Sequence, residues 1–106
     1  MTSFLLRIFL NEDDRFGKRA LVDAIVDEAR SGGIAGATVL KAIEGFAGEG
    51  ALHSARVTDA AGGMPVLIEI AEEESRIASL VARVRDMMTG GLITVERIEV
   101  VSQPGS

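Results

Sequence analysis

The sequence contains no cysteine, tyrosine or tryptophan, and its only histidine is His53. Without cysteine there can be no disulfide framework and no thiolate metal site. One histidine is too few for a typical metal site, so we predict no bound metal. A thiol nucleophile and a phenolic acid are also missing. Carboxylates, serine and lysine remain available, but the inventory favours a protein that is not an enzyme.

Positive charge is scarce as well. The chain has 11 Lys and Arg against 16 Asp and Glu, which gives a net charge of −5 at pH 7. Because the basic residues are scattered, we predict no nucleic-acid partner. No apolar run approaches the roughly 20 residues of a membrane-spanning helix. The start, MTSFLLRIFLNEDD, lacks the basic region of a signal peptide. We therefore expect a cytoplasmic protein.

The composition that is present is ordinary for a globular protein, with 47% hydrophobic and 25% charged residues. A chain of 106 residues is expected to form one domain, spanning residues 1–106. Residues 4–10 alternate as a strand, with Leu6, Ile8 and Leu10 on one face. Residues 18–31 have the period of a helix, which Gly32 and Gly33 should end while Ile34 packs back.

The second half of the chain is also predicted to contain strands and one helix. Strands are predicted over residues 37–46 and 64–71, and a helix follows in EEESRIASLVARVRDMM, with Glu72, Glu73 and Glu74 at its positive N-terminal end. Gly90 and Gly91 should end this helix, and residues 92–101 form the last strand. The order βαββαβ predicts an α+β, ferredoxin-like fold with one antiparallel sheet and both helices on one face.

The face of the sheet that the helices leave open carries a mixture of apolar and charged residues in this prediction. The apolar ones are Leu5, Phe9, Leu67, Val39 and Ile43, and the charged ones are Arg7, Lys41 and Glu69. Exposed apolar patches of this kind usually mark association surfaces, and the charges could pair across an interface. We expect an oligomer; the alternative is a monomer with an amphipathic face.

A glycine-rich stretch follows the second predicted strand. Six of the twelve glycines lie between Gly32 and Gly50, and His53 and Arg56 come after them. Backbone N–H groups in such a stretch can hold a phosphate, but there is no G-x-G-x-x-G and no Walker lysine, so the glycines could serve loop geometry alone. His53 and Arg56 could bind an anion together or could be solvated.

The sequence resembles the PII signalling superfamily over nearly its whole length. The segment EARSGGIAGATVLKAIEGF carries the resemblance most strongly, and RIFL, HSARV, MPVLIEIAEEE and MMTGGLITVERIEV are similar to one branch, the PII-like domain of unknown function one hundred and ninety. The resemblance implies a homotrimer with inward-facing sheets. It also implies a small effector, such as an adenine nucleotide, bound between subunits. A mobile loop over residues 47–63 would carry the signal to a target, often a membrane transporter or channel.

The resemblance also implies a ligand site made of two groups of residues. Thr38, Gly45 and Phe46 would bound the cleft on one side, and Thr89, Gly90 and Gly91 on the other; Arg56 could fold over it from the loop. The segments GFAGEG and TGGLITVE lack the Arg-Gln pair and the lysine that contact nucleotides in PII proteins. We therefore predict weak ATP binding and a smaller or less charged effector, whose identity stays open, as does any cofactor.

A second class of function stays open. The protein could be a small enzyme that uses the cleft between subunits, with Glu44, Lys41 or His53 as acid or base. A pocket in which titratable groups converge would favour this alternative.

Overall fold

The computed structural model describes residues 2–46, 53–54 and 63–103, the pair 53–54 by its backbone. The strands are β1 (Ser3–Asn11), β2 (Arg15–Phe16), β3 (Arg19–Ala20), β4 (Thr38–Lys41), β5 (Glu44–Gly45), β6 (His53–Ser54), β7 (Pro65–Glu73) and β8 (Leu92–Ile98), and the helices are α1 (Leu21–Ser31) and α2 (Glu74–Met87). Four strands form one antiparallel sheet in the order β4-β7-β1-β8, while β2-β3 and β5-β6 are short hairpins. The predicted α+β, ferredoxin-like fold is confirmed.

The core lies between the sheet and the two helices. Alternation in β1 puts Leu6, Ile8 and Leu10 inside, as predicted, and the same period in β7 buries Ile68 and Ile70. The helices cover these positions with one apolar stripe each, made of Leu21, Ile25 and Ala29 in α1 and Ile77, Leu80 and Val84 in α2. Both helices therefore pack on one face, and no helix of the described residues covers the other face, which we call the open face.

The end of α1 follows the prediction closely. Gly33 adopts a φ of +83°, and its N–H donates to the carbonyl of Arg30 at 3.2 Å. The N–H of Ile34 donates to the carbonyl of Ala29 at 3.1 Å, and the Ile34 side chain is buried. These two bonds form a Schellman motif, in which a residue with positive φ ends the helix and the next apolar residue packs back.

The beginning of α1 differs from the prediction. The helix starts at Leu21 and not at Lys18, because Arg19 and Ala20 pair with Phe16 and Arg15 in the β2-β3 hairpin. The N–H of Leu21 donates to the carbonyl of Asp14 at 2.8 Å. The residues between β1 and α1 thus form a hairpin that lies against the start of the helix.

The predicted strand over residues 37–46 is also shorter in the structure. Strand β4 ends at Lys41, which pairs with Val66, and the N–H of Ala42 donates to the carbonyl of Pro65. Pro65 has no N–H to return a bond, so the ladder stops at this point. Glu44 and Gly45 pair instead with Ser54 and His53, outside the main sheet.

The register of β4 corrects the predicted composition of the open face. In an antiparallel ladder, directly opposed residues point to the same side. Val39 opposes the buried Ile68, and Lys41 opposes Val66, so both belong to the helix side. Leu40 opposes Leu67 and lies on the open face instead. Ile43 follows the end of β4 and is not part of the main sheet.

Two of the three glutamates assigned to the start of the second helix belong to β7. Glu72 and Glu73 extend the ladder with Phe4 and Ser3, and only Glu74 lies in α2. The carboxylate of Glu72 is nearly buried and accepts the N–H of Glu73 at 2.9 Å. The pairing with β1 therefore overrides the helical tendency of these residues.

Candidate functional site

The first group of candidate residues, the first half-site, consists of Thr38, Gly45 and Phe46. Thr38 opens β4 and pairs with Glu69, so it lies on the open face at one edge of the sheet. Phe46 follows β5 and leaves 65% of its surface exposed. A predominantly apolar cleft of about 270 Å³ lies beside it, lined by Phe9, Leu10, Leu40, Lys41, Ala42, Phe46, Pro65, Val66 and Leu67.

An apolar row crosses the open face next to this cleft. The ladder pairs Leu40 with Leu67, Leu67 with Phe9, and Phe9 with Leu92, so these four side chains follow one another across all four strands. Leu40 and Leu92 are 45% and 55% exposed. We call these four residues the apolar row. A continuous exposed row of this kind is typical of a surface that associates with another molecule.

A charged cluster lies one step along the strands from the apolar row. Arg7 donates from Nε to Glu69 at 3.0 Å and from Nη1 to Glu96 at 2.7 Å. Two hydrogen bonds raise the pKa of the Arg7 guanidinium, and the one to Glu69 contributes more than the one to Glu96. Within one chain, Arg7 and Glu69 thus pair with each other, and their pairing across an interface stays a prediction.

The second half-site consists of Thr89, Gly90 and Gly91, in the turn between α2 and β8. These residues line a largely polar crevice of about 220 Å³, together with Leu10, Asn11, Asp14, Arg15 and Leu21. The end of β1 and the β2-β3 hairpin thus meet the turn. Asn11 and Arg15 were not predicted as site residues. The only signal for them in the sequence is a charged loop after the first strand, which is common in proteins of any function.

The two glycines of this turn have different roles. Gly91 has a φ of +90°, and a Cβ added to it would lie 2.5 Å from the carbonyl oxygen of Phe9. A side chain is therefore excluded at Gly91 by the backbone of β1. A Cβ added to Gly90 would meet nothing within 4 Å. Packing does not explain the glycine at position 90, which borders the open crevice.

One chain does not bring the two half-sites together. Strand β4 carries Thr38 at one edge of the sheet, and Thr89–Gly91 precede β8 at the other edge. Three strand spacings separate the edges, which corresponds to about 14 Å. Thr38 and the turn Thr89–Gly91 therefore lie at opposite edges of the sheet of one chain.

Glu12 holds the two ends of the segment that joins β4 to β7. Its Oε2 lies 2.8 Å from Nζ of Lys41, and its Oε1 accepts the N–H of Met64 at 3.1 Å. The Glu12 N–H donates to the Met64 carbonyl at 2.9 Å. Two hydrogen bonds lower the pKa of the Glu12 carboxyl below its usual range, and the one from Lys41 contributes more than the one from Met64. Sequence reasoning missed this residue as well.

Other predicted site features lie beyond what the structure describes. Arg56 and most of the loop over residues 47–63 are outside the described residues, and His53 is described by its backbone alone. Of the groups named for an enzyme, Lys41 is held by Glu12, and no hydrogen bond joins it to the exposed Glu44. Within residues 2–46 and 63–103, no group of three or more His, Cys, Asp or Glu side chains could hold a metal ion.

None of the helices in the described part of the chain is long and apolar enough to cross a membrane.

Solved structures identify the class of fold. CPII from Thiomonas intermedia K12, a nitrogen regulatory PII-like protein bound to ADP, AMP and bicarbonate, superposes with a TM-score of 0.72 at 17% identity, over 94% of this chain and 89% of that one. A candidate PII-like signaling protein from Thermus thermophilus, TTHA0516, superposes with a TM-score of 0.71 at 21% identity, over 95% and 91%. The fold is that of PII-like proteins.

Sequence comparison then gives the family. The model of DUF190, described as "Uncharacterized ACR", matches residues 3–100. A UPF0166 protein of Aquifex aeolicus (strain VF5) is 32% identical over 97 residues, which cover 92% of this chain and 91% of that protein. A second UPF0166 protein of the same organism is 27% identical over 100 residues, with 94% and 98% covered. The chain belongs to the DUF190 family, and the predicted resemblance to the PII-like branch is confirmed.

Proposed function

We propose that the protein is a non-enzymatic, PII-like regulator that assembles as a homotrimer and binds a small effector between subunits. The first half-site of one subunit and the second half-site of its neighbour would together hold the effector. The loop over residues 47–63 would then contact a target protein, for which a membrane transporter or channel is the class that the resemblance implies.

The observation that carries this proposal is the separation of the two half-sites. Thr38 lies at one edge of the sheet, and Thr89–Gly91 precede the strand at the other edge, so a ligand between two chains could contact the first half-site of one and the second half-site of the other. The apolar row supports the same conclusion, because it would be covered when the open faces of the subunits meet. The covering chain would be a second copy, which is what the resemblance to PII signalling proteins implies.

The PII-like relatives support an adenine nucleotide as the class of effector. CPII is bound to ADP, AMP and bicarbonate in its structure. In this chain, the exposed apolar cleft beside Phe46 could take a planar base, and the polar crevice beside Thr89 could take an anionic group. One cleft thus suits the base of a nucleotide, and the other suits its phosphate.

The test is whether assembly and ligand binding depend on each other. Leu40→Glu places a charge in the apolar row, and light scattering should show the loss of the trimer. Val39→Glu is the matched control, because Val39 is the next residue, is equally exposed (47% against 45%) and faces the helix side. It should leave the trimer intact.

Calorimetry with AMP on the same proteins completes the test. Binding should be present in the wild type and in Val39→Glu, and lost in Leu40→Glu. A monomeric wild type at micromolar concentration, or a monomeric variant that binds AMP as tightly as the wild type, would contradict the proposal.

A further inference from the structure

The open face of the sheet carries more negative than positive charge. Its carboxylates belong to Glu69, Glu73 and Glu96. The ladder opposes each of them to a residue of β1 that alternates with the buried ones, and directly opposed residues point to the same side. Arg7 is the only basic residue on this face within the four strands of the main sheet, all of which the structure describes. Each chain therefore presents one cation and three carboxylates.

Arg7 is already shared between two of these carboxylates within its own chain. Its Nε donates to Glu69 at 3.0 Å, and its Nη1 donates to Glu96 at 2.7 Å. The exposed fractions of the three side chains are 36% for Arg7, 30% for Glu69 and 55% for Glu96. In a single chain, water therefore still solvates the excess negative charge.

The excess charge becomes enclosed when the open faces of three copies meet. Every copy brings the same charges, so an exchange of ion-pair partners between chains leaves the balance unchanged. Transfer of charges out of water is costly, and like charges repel more strongly as the surrounding dielectric constant falls. The apolar row thus favours assembly, and the carboxylates of the same face oppose it.

We infer that cations in solution regulate the assembly of this protein, because the open faces close only when the charges of Glu69, Glu73 and Glu96 are screened. The inference rests on the proposed function, since it needs further copies of the chain on the open face. It adds a control of the ligand site: a site shared between two chains exists only while the chains are assembled, so the same cations determine whether the effector finds it.

Sedimentation of the wild-type protein over a dilution series tests this regulation. The series is measured at about 0.01 M and at about 0.1 M NaCl, between which the Debye length falls from about 30 Å to about 10 Å. The trimer should dissociate at a protein concentration about tenfold higher in the lower salt, because the enclosed carboxylates are then screened less.

Glu96→Gln removes one negative charge from the open face and keeps an oxygen that can accept the hydrogen bond from Arg7. It should assemble more tightly than the wild type at about 0.01 M NaCl and should show a salt effect of less than about threefold. Glu69→Gln also keeps an acceptor for Arg7 and should act in the same direction.

Asp86→Asn is the matched control. It also removes one negative charge, but Asp86 is exposed on α2, which packs on the other face of the sheet. Its salt dependence should equal that of the wild type. Equal behaviour of Glu96→Gln and Asp86→Asn would trace the effect to the net charge of the whole chain and overturn the inference.

Two further outcomes separate the inference from the proposed function. A wild-type trimer whose dissociation does not depend on salt would overturn the inference and leave the proposed function standing. A wild type that is monomeric at micromolar concentration at both salt concentrations would overturn both.

Discussion

At the scale of single residues, the turn before β8 offers a direct comparison between two adjacent glycines. Gly91→Ala should destabilise the protein by roughly 2–4 kcal/mol, because the new Cβ meets the Phe9 carbonyl and the positive φ is unfavourable for alanine. Gly90→Ala should change stability by less than about 0.5 kcal/mol. Urea unfolding of both variants measures the difference. Equal effects would mean that the turn does not pack against β1 as described.

Glu12 should make stability depend on pH in the acid range. Its pKa is lowered in the folded protein, so its contribution is fully present above the ordinary glutamate pKa of about 4.3 and is lost as pH falls through the lowered value. Glu12→Gln should therefore melt below the wild type at pH 7, and the gap should close as the pH falls through the lowered pKa of Glu12.

Asp13→Asn is the matched control for this prediction, because Asp13 is the exposed neighbour of Glu12 and pairs with no described residue. It should show a much smaller gap at neutral pH. A gap for Glu12→Gln that persists unchanged in acid would rule out the ion pair with Lys41 and the bond to Met64 as its cause.

The residues that carry chemistry were the hardest to predict from the sequence. Thr38, Phe46 and the turn Thr89–Gly91 came from a family resemblance, and their role as ligand contacts stays a prediction. Glu12 acts through Lys41 and Met64, which lie 29 and 52 positions further along the chain. A local pattern does not contain such contacts, because the fold has to bring them together.

At the scale of secondary structure elements, the Schellman motif at the end of α1 can be tested with a second pair of glycines. A Cβ at Gly33 would meet nothing within 4 Å, so Gly33→Ala should cost only the strain of its positive φ, about 1 kcal/mol. Gly36→Ala is the control, since its Cβ is equally free and its φ is not positive. Thermal unfolding should show no loss for Gly36→Ala; an equal loss in both variants would contradict the motif.

Elements were predictable where the local pattern and the tertiary structure agree. The alternation of β1, the apolar stripe of α2 and the glycine end of α1 are local signals, and each is found in the structure. The errors lie where long-range pairing decides: β7 runs on to Glu73 because Ser3 pairs with it, and β4 stops at Lys41 because Pro65 cannot donate. The face of Val39 was wrong for the same reason, since only the register with Ile68 fixes it.

At the scale of the whole molecule, the proposed site has a consequence that a site within one chain would not have. If each ligand lies between the first half-site of one subunit and the second half-site of the next, damage to either half-site can be compensated by a neighbour. Phe46→Asp should inactivate only the first half-site, since Phe46 is exposed. Gly90→Asp should inactivate only the second, because it places a negative charge at the crevice without a clash.

Trimers that contain both variants should therefore regain binding. Phe46→Asp and Gly90→Asp each bind no AMP on their own in this prediction, and both remain trimeric by light scattering. When they are produced together in equal amounts and mix at random, about one quarter of the interfaces should combine two intact half-sites in a closed three-fold ring. Calorimetry should then give roughly one quarter of the wild-type stoichiometry at wild-type affinity.

A double variant with both changes in one chain is the control. It has no intact half-site, so its trimers should bind nothing. No regained binding in mixed trimers would place both half-sites of each ligand in a single chain.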